Sequence, residues 1–210
     1  KLLPHASGVT AVPAMMKNIL HDQRRHLKGV ATIGVSPLAL VTSASKGYKS
    51  VRELVAAAKA KPGSLSFASA GVGTSTHLAA EKFRVAAGFE ALHVPFKSTT
   101  DALAEVMAGR IDYVVTTLPS ALGPVKDGRL VALATGASRA PALRDVPTMT
   151  EAGVPDAGVD VWYGLFAPAK APPEVIARLN AETAKALADP ELKERLERIG
   201  AQLELALAVW

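Results

Sequence analysis

The sequence feature that most constrains the fold is a regular alternation of short apolar stretches with longer stretches of helical periodicity. The strand-like stretches SLSFAS, ALHVPF, RIDYVV and LVALAT are separated by segments with apolar residues at helical spacing. Strands that alternate with helices of about ten residues form βαβ units, which place the strands in a mostly parallel sheet. We therefore predict an α/β fold.

The helical segments carry recognisable start and stop signals. Ser50 and Glu53 have the spacing of a capping box at the head of the first helix. A second helix is predicted over residues 76–87, and Gly88 is its expected C-terminal stop. Beyond residue 136 the chain is rich in proline and loop-like, until the apolar stretch VDVWYGLFAPA predicts another buried strand. Two further helices are predicted from the prolines that follow it.

Composition excludes several functional classes. The 210 residues include no cysteine, which excludes a disulfide scaffold, a thiolate nucleophile and a cysteine-based zinc site. The net charge of +5 comes from scattered basic residues without aromatic neighbours, so no nucleic-acid partner is expected. The five histidines have no metal-ligand spacing, so we predict neither a metal nor a cofactor.

The junction between the first strand and the second helix is the candidate binding site. The stretch SAGVGTSTH, residues 69–77, places two glycines and several hydroxyl groups where a strand ends and a helix begins. Ligands of parallel sheets collect at the carboxyl ends of the strands. Glycines let backbone N–H groups converge on an anion at a helix N-terminus. The alternative is that Ser75 or Thr76 only caps the helix, and these residues alone favour neither interpretation.

Several catalytic and nucleotide motifs match this stretch only in part. The pattern G-x-G-x-x-T lacks the last small residue of a dinucleotide fingerprint, and the Gly-Lys-Ser/Thr of a P-loop is absent. The pattern G-x-S-x-H resembles a nucleophile elbow. It leaves one alternative function, a serine hydrolase in which Ser75 works with a distant histidine, His93 or His5. His77 would face away from Ser75 on a helix and is a poor base for it.

Two further polar groups follow the next strands. Phe96 and Lys97 end ALHVPF and precede the helix start STT, and Thr116 and Thr117 end RIDYVV. Because parallel strands end at the same edge of a sheet, three consecutive strands deliver polar groups to one place. No pair of carboxylates with acid–base roles can be named. The pattern indicates binding rather than catalysis.

The order of the motifs resembles that of a known receptor family. The stretches AKPGSLSFASAGVGTSTHLAAEKF, LHVPFKSTTDALAEVMAGRIDYVV, GRLVALATGASRAPALRDVPTMTEAGVP and VWYGLFAPAKAPPEVIARLNAETAKALADPELKERL are similar, in order, to the extracytoplasmic solute receptors of tripartite tricarboxylate transporters, the TctC or Bug family. The similarity runs from about Lys28 to Gly200. It implies a type II-like periplasmic binding protein fold, with two lobes that have mostly parallel sheets and close on a ligand.

The resemblance also implies a function. Family members bind a small organic carboxylate, such as a di- or tricarboxylate, an acidic amino acid or an aromatic acid, and deliver it to membrane permease subunits without catalysing a reaction. The chain is therefore expected to be a periplasmic, monomeric receptor. Its opening, KLLPHASGV, shows no signal-peptide pattern.

Carried over by position, the resemblance implies a set of ligand-binding residues. They are Gly71, Val72, Gly73, Thr74, Ser75, Thr76, His77, Phe96, Lys97, Thr116, Thr117 and Trp162, with Ser7 and Thr10 from the stretch LLPHASGVTAVPAMMKNI. Phe96 replaces a family tyrosine, and Thr116-Thr117 replaces Asp-Asn, which disfavours a ligand amine. Trp162 would form an apolar wall from the other lobe.

The resemblance implies a division into two lobes. Residues 1–41 and 137–210 are expected to form the first lobe, and residues 42–136 the second lobe, which carries the carboxylate-binding turn. The chain would cross twice between the lobes. The family's opening strand and helix should precede Lys1, so we expect that the chain is a fragment with an incomplete first lobe.

Overall fold

The structure of the protein, a computed structural model, describes residues 3–6 and 23–198. In chain order the strands are β1 (Leu3–Ala6), β2 (Leu27–Ser43), β3 (Leu65–Ser69), β4 (Ala91–Pro95), β5 (Tyr113–Thr117), β6 (Leu130–Thr135) and β7 (Asp160–Pro168). The helices are α1 (Gln23–His26), α2 (Val51–Ala60), α3 (Ser75–Ala87), α4 (Thr99–Met107), α5 (Leu118–Lys126), α6 (Pro173–Leu187) and α7 (Pro190–Arg198), with 3₁₀ turns at Ala44–Lys46 and Pro141–Leu143.

The chain forms two compact units. One comprises Lys1–Ser36 and Val161–Trp210, and the other comprises Pro37–Asp160. The first unit contains β1 paired antiparallel with β7, and helix α6, whose Asn180 side-chain amide donates to the carbonyl of Val30. The second unit contains the complete series from β3 to β6 and therefore carries the turn that the sequence singled out.

The sheet of the second unit has a parallel core and one antiparallel strand. Strand β3 pairs in parallel with β4 and with β5, whereas β2 pairs antiparallel with both β5 and β6. Helices α3, α4 and α5 are the crossovers that connect the parallel strands in succession. The predicted α/β class is confirmed, but the sheet is mixed because β2 runs antiparallel to its neighbours β5 and β6.

Local signals explain where the helices begin and end. The hydroxyl of Ser50 accepts the amide of Glu53 at 3.2 Å, as a helix cap does. The Glu53 carboxylate in turn accepts the amide of Lys49 at 2.8 Å, one residue before the position that a standard capping box uses. Gly88 ends α3 in the left-handed region with a φ of 67°. These predicted boundaries are confirmed.

Four of the ten aromatic residues form a cluster on one face of the sheet. Phe67, Tyr113, Phe83 and Phe89 pack there in stacked and edge-to-face contacts beneath α3. The opposite face packs aliphatic side chains beneath α4 and α5. The buried ones include Val114, Leu103, Val106, Leu118 and Ala121. Both faces are thus covered by helices, as an α/β sheet requires.

Residues 137–160, which look like a linker in the sequence, belong to the second compact unit. Thr135 donates its amide to Pro147 at 2.8 Å, and Met149 donates back to Thr135 at 2.9 Å. The Asp160 carboxylate accepts the amide of Ala137 at 2.9 Å. The compact unit therefore extends beyond the expected range of 42–136 at both ends.

Candidate functional site

The carboxyl ends of β3, β4 and β5 meet at one edge of the sheet, as the sequence predicts. The amide of Phe96 donates to the carbonyl of Ser69 at 2.9 Å, which brings the residues after β4 beside the turn after β3. Thr116 and Thr117 end β5, and α5 begins at the next residue. Lys97 is exposed at the same edge. These predicted binding residues of the second unit are therefore brought together.

Both glycines of the turn adopt backbone conformations that other residues avoid. Gly71 has a φ of 120° and Gly73 a φ of 83°. The turn therefore requires glycine at both positions.

Two threonine hydroxyl groups of the turn stabilise the turn itself. The Thr74 hydroxyl donates to the carbonyl of Gly71 at 2.7 Å and accepts the amide of His77 at 3.4 Å, which makes Thr74 the cap of α3. The Thr76 hydroxyl accepts the amide of Ala70 at 3.1 Å and lies 2.9 Å from the Thr74 hydroxyl. The capping alternative thus applies to Thr74, one residue before the positions that the sequence indicated.

Other donors of the turn are open. Within the part of the chain that the structure describes, the backbone N–H groups of Val72, Ser75 and Thr76 have no hydrogen-bond partner, nor does the Ser75 hydroxyl. Ser75 and Thr76 occupy the first turn of α3, where the helix dipole is positive and the N–H groups lack intrahelical acceptors. Unpaired N–H groups at a helix N-terminus can bind an anion.

Two histidines pack beneath the turn. His77 accepts the amide of Gly73 at its Nδ1 atom, at 3.2 Å, and its ring stacks on that of His93 with centroids 4.1 Å apart. His93 Nε2 lies 2.7 Å from the Ser69 hydroxyl oxygen. Burial lowers the pKa of His93 below its ordinary value, and the neighbouring His77 lowers it further. His77 therefore forms a hydrogen bond with the turn itself, and its role is not limited to contact with a ligand.

Among the described residues, no hydrogen bond joins Ser75 to a histidine, as the serine hydrolase alternative would require. The serine beside His93 is Ser69, which is fully buried, and not Ser75. His5 lies on β1, in the other compact unit. Asp112, at the opposite end of β5, pairs with Lys46 at 2.7 Å. Among the described residues, no three histidine, aspartate or glutamate side chains cluster as metal ligands would.

The end of β5 contributes two hydroxyl groups with different surroundings. The Thr117 hydroxyl is 2.9 Å from that of Ser120, and helix α5 has no side-chain cap. Thr116 is fully buried, and its hydroxyl oxygen has no partner in the described residues. A buried hydroxyl without a partner costs free energy.

The remaining predicted residues lie elsewhere in the chain. Trp162 is on β7 of the first unit, where its ring lies against that of Phe166 with centroids 6.1 Å apart. Ser7 and Thr10 lie outside the residues that the structure describes. The sequence did not indicate that Ser69 and His93 support the turn. Ser69 and His93 lie on the same face of the sheet. This could have been found only from the parallel register of β3 and β4, which places Phe67 opposite His93.

Comparison with known proteins identifies the family. The family model for the tripartite tricarboxylate transporter family receptor, TctC, matches residues 2–205. A Pseudomonas sp. strain P51 protein, described as the UPF0065 protein in the tcbD-tcbE intergenic region, is 36% identical over 95% of this chain and 60% of its own length. Protein BugT of Bordetella pertussis is 31% identical over 94% of this chain and 60% of its own length. The chain thus spans about 60% of the length of these two relatives.

Solved structures agree with this match. A Rhodopseudomonas palustris protein solved with adipate superimposes with a TM-score of 0.91 at 27% identity, over 96% of this chain and 68% of its own. MatC from the same organism, solved with bound malate, has a TM-score of 0.88 at 28% identity, over 96% and 69%. These matches establish the periplasmic binding protein fold. The family that the chain matches is one of receptors rather than enzymes. The chain belongs to the tripartite tricarboxylate transporter receptor family, TctC.

Proposed function

We propose that this chain forms the ligand-binding part of a periplasmic receptor that captures a small organic carboxylate for a tripartite tricarboxylate transporter. The observation that carries the proposal is the group of three unpartnered N–H donors, those of Val72, Ser75 and Thr76, at the start of α3. Relatives with the same fold were solved with adipate and with malate, which are both dicarboxylates.

The number of open donors is sufficient for a receptor. A hydrogen bond from an N–H group to a carboxylate contributes about 1.5 to 3 kcal/mol. Two or three such bonds contribute about 3 to 9 kcal/mol, and the Lys97 charge lies at the same sheet edge; the upper part of this range corresponds to a micromolar dissociation constant, roughly −8 kcal/mol. The Ser75 hydroxyl supplies a further donor.

We further propose that the ligand carries no amine. Residues 69–77, 96–98 and 116–120, which follow the three parallel strands, include no aspartate or glutamate. An ammonium group that leaves water needs an acceptor or a counter-charge, and these three segments offer it no carboxylate. Thr116 and Thr117, with their neutral hydroxyl groups, suit a hydroxyl or methylene group of the ligand instead.

The rest of the assignment follows from the family. We propose that residues 42–136 are the core of the second lobe and that residues 1–41 and 137–210 contain the partial first lobe, which contributes Trp162, Ser7 and Thr10 to the ligand. The proposed receptor acts as a monomer and passes its ligand to permease subunits. Among the described helices, none combines the length and apolar character that crossing a membrane requires.

Calorimetric titration of the complete receptor with matched ligands tests this proposal. We expect micromolar binding of at least one of adipate, malate and succinate. Aspartate differs from succinate by a single amine and should bind at least about tenfold more weakly, because its ammonium group has no acidic partner. Succinamide has no carboxylate and serves as the control that should not bind. A folded receptor that binds none of the carboxylates, or binds succinamide as tightly as succinate, would contradict the proposal.

A further inference from the structure

We propose that His77 and His93 are positioning residues that hold the carboxylate-binding turn in its binding conformation. The inference rests on the proposed function, because it concerns how that binding turn is kept in place. It assigns to the imidazole pair a role distinct from ligand contact: each histidine holds one of the two glycines of the turn.

His77 holds the second glycine directly. Its Nδ1 atom accepts the amide of Gly73 at 3.2 Å, so the neutral ring must carry its proton on Nε2. The bond fixes the direction of the Gly73 amide at a φ of 83°. Because Gly73 lies between Val72 and the helix start, this bond determines how the open N–H groups on either side of it are presented.

His93 holds the first glycine through Ser69. The amide of Gly71 donates to the Ser69 hydroxyl oxygen at 3.1 Å, and His93 Nε2 lies 2.7 Å from the same oxygen. Ser69 is fully buried, so its hydroxyl group has no bulk water with which to exchange partners. The lowered pKa of His93 favours the neutral ring. When its Nε2 atom carries no proton, the Ser69 hydroxyl can donate to it at 2.7 Å as well as to the carbonyl of Gly71 at 3.3 Å.

The histidine pair is itself supported by the core. His93 stacks on Phe67 with ring centroids 4.8 Å apart, and Phe67 stacks on the buried Tyr113 at 5.6 Å. On the other side, the Glu81 carboxylate is 4.0 Å from His77 Nε2 and is held by Arg84 at 2.6 Å. Four rings in succession thus connect β5 to the turn, and Glu81 faces the edge where His77 carries its proton.

Substitutions at His77 separate positioning from packing. Asparagine can place its amide oxygen where Nδ1 lies, glutamine reaches one bond further and misses that position, and phenylalanine keeps the stacked ring without an acceptor. We expect His77→Asn to bind carboxylate within about threefold of the parent receptor, whereas His77→Gln and His77→Phe should weaken binding by about tenfold or more. If the His77 ring acted only through packing, asparagine would not preserve binding while phenylalanine weakened it.

Nitrogen NMR of the complete receptor without ligand is the second measurement. We expect the His77 ring in the form protonated at Nε2, and a Gly73 amide that exchanges slowly with solvent in the parent and rapidly in His77→Phe. Protonation at Nδ1, or equal affinity in all three variants, would overturn the inference. If the parent binds no carboxylate, the proposed function fails, while the tautomer and the Gly73 exchange rate still test the positioning.

Discussion

Replacing Gly73 with valine is expected to abolish carboxylate binding. Gly73 has a φ of 83°, a conformation that a β-branched residue avoids. The turn would have to rearrange, and the unpaired N–H groups of Val72 and Ser75 would be displaced. The loss of two charge-assisted bonds corresponds to at least about 3 kcal/mol, or more than about a hundredfold in affinity.

Gly128→Val is the matched control for this variant. Gly128 also has a positive φ, 71°, and a Cβ atom there would meet nothing within 4 Å. Both variants should lose roughly 1 to 2 kcal/mol of folding stability from backbone strain. Only Gly73→Val should lose binding when both are compared by calorimetry. A folded Gly73→Val receptor with parental affinity would show that the turn is a helix start and nothing more.

The largest effect on stability is expected from Gly136→Ala. A Cβ atom on Gly136 would lie 2.2 Å from the carbonyl oxygen of Val159 and 2.4 Å from the Asp160 carboxylate. Both neighbours are parts of a close backbone crossing, in which Asp160 also accepts the amide of Ala137. The segments must separate to admit the methyl group, so we expect a loss of about 3 kcal/mol in the free energy of unfolding.

Gly123→Ala provides the contrast. Gly123 lies within α5, and a Cβ atom there would have open space around it. Alanine favours a helix over glycine by about 0.5 to 1 kcal/mol, but Pro124 disfavours the helical conformation of a preceding residue that has a Cβ atom, so we expect a stability close to that of the parent. Urea unfolding of the two variants measures the difference. A Gly136→Ala protein as stable as Gly123→Ala would mean that the crossing is looser than its distances indicate.

Local chemistry explains why much of the fold could be predicted from the sequence. The cap at Ser50 and the glycine stop at Gly88 act over a few residues, so their effect can be read from neighbouring letters. The alternation of strands and helices identified the βαβ series and hence the sheet edge where the turn lies. The family resemblance then agreed with the fold class, and the comparisons confirmed both.

Pairing between distant segments could not be predicted in the same way. Strand β2 runs antiparallel between β5 and β6 because its residues 38–43 pair with strands more than seventy residues later. The segment 137–160 joins the second unit through backbone bonds to Thr135, which carry no signal in side-chain pattern. Register of this kind depends on the whole sheet.

In the candidate site, too, the local features could be predicted from the sequence and the contacts between distant residues could not. Its glycines and the start of α3 were predicted from local pattern, whereas the assignment of individual hydroxyl groups was not. Thr74 caps α3 and Ser75 is open, a difference of one residue that depends on backbone angles. The support from His93 depends on the register that places β4 beside β3, so Ser69 and His93 meet across 24 residues of sequence.

Amide-resolved NMR of the complete receptor during titration with a dicarboxylate that it binds tests the central claim most directly. The account predicts that the proton resonances of the Val72, Ser75 and Thr76 amides move downfield together, and that they saturate at the dissociation constant measured by calorimetry. The account would be contradicted by tight carboxylate binding that leaves these three amides unchanged while resonances elsewhere in the receptor move.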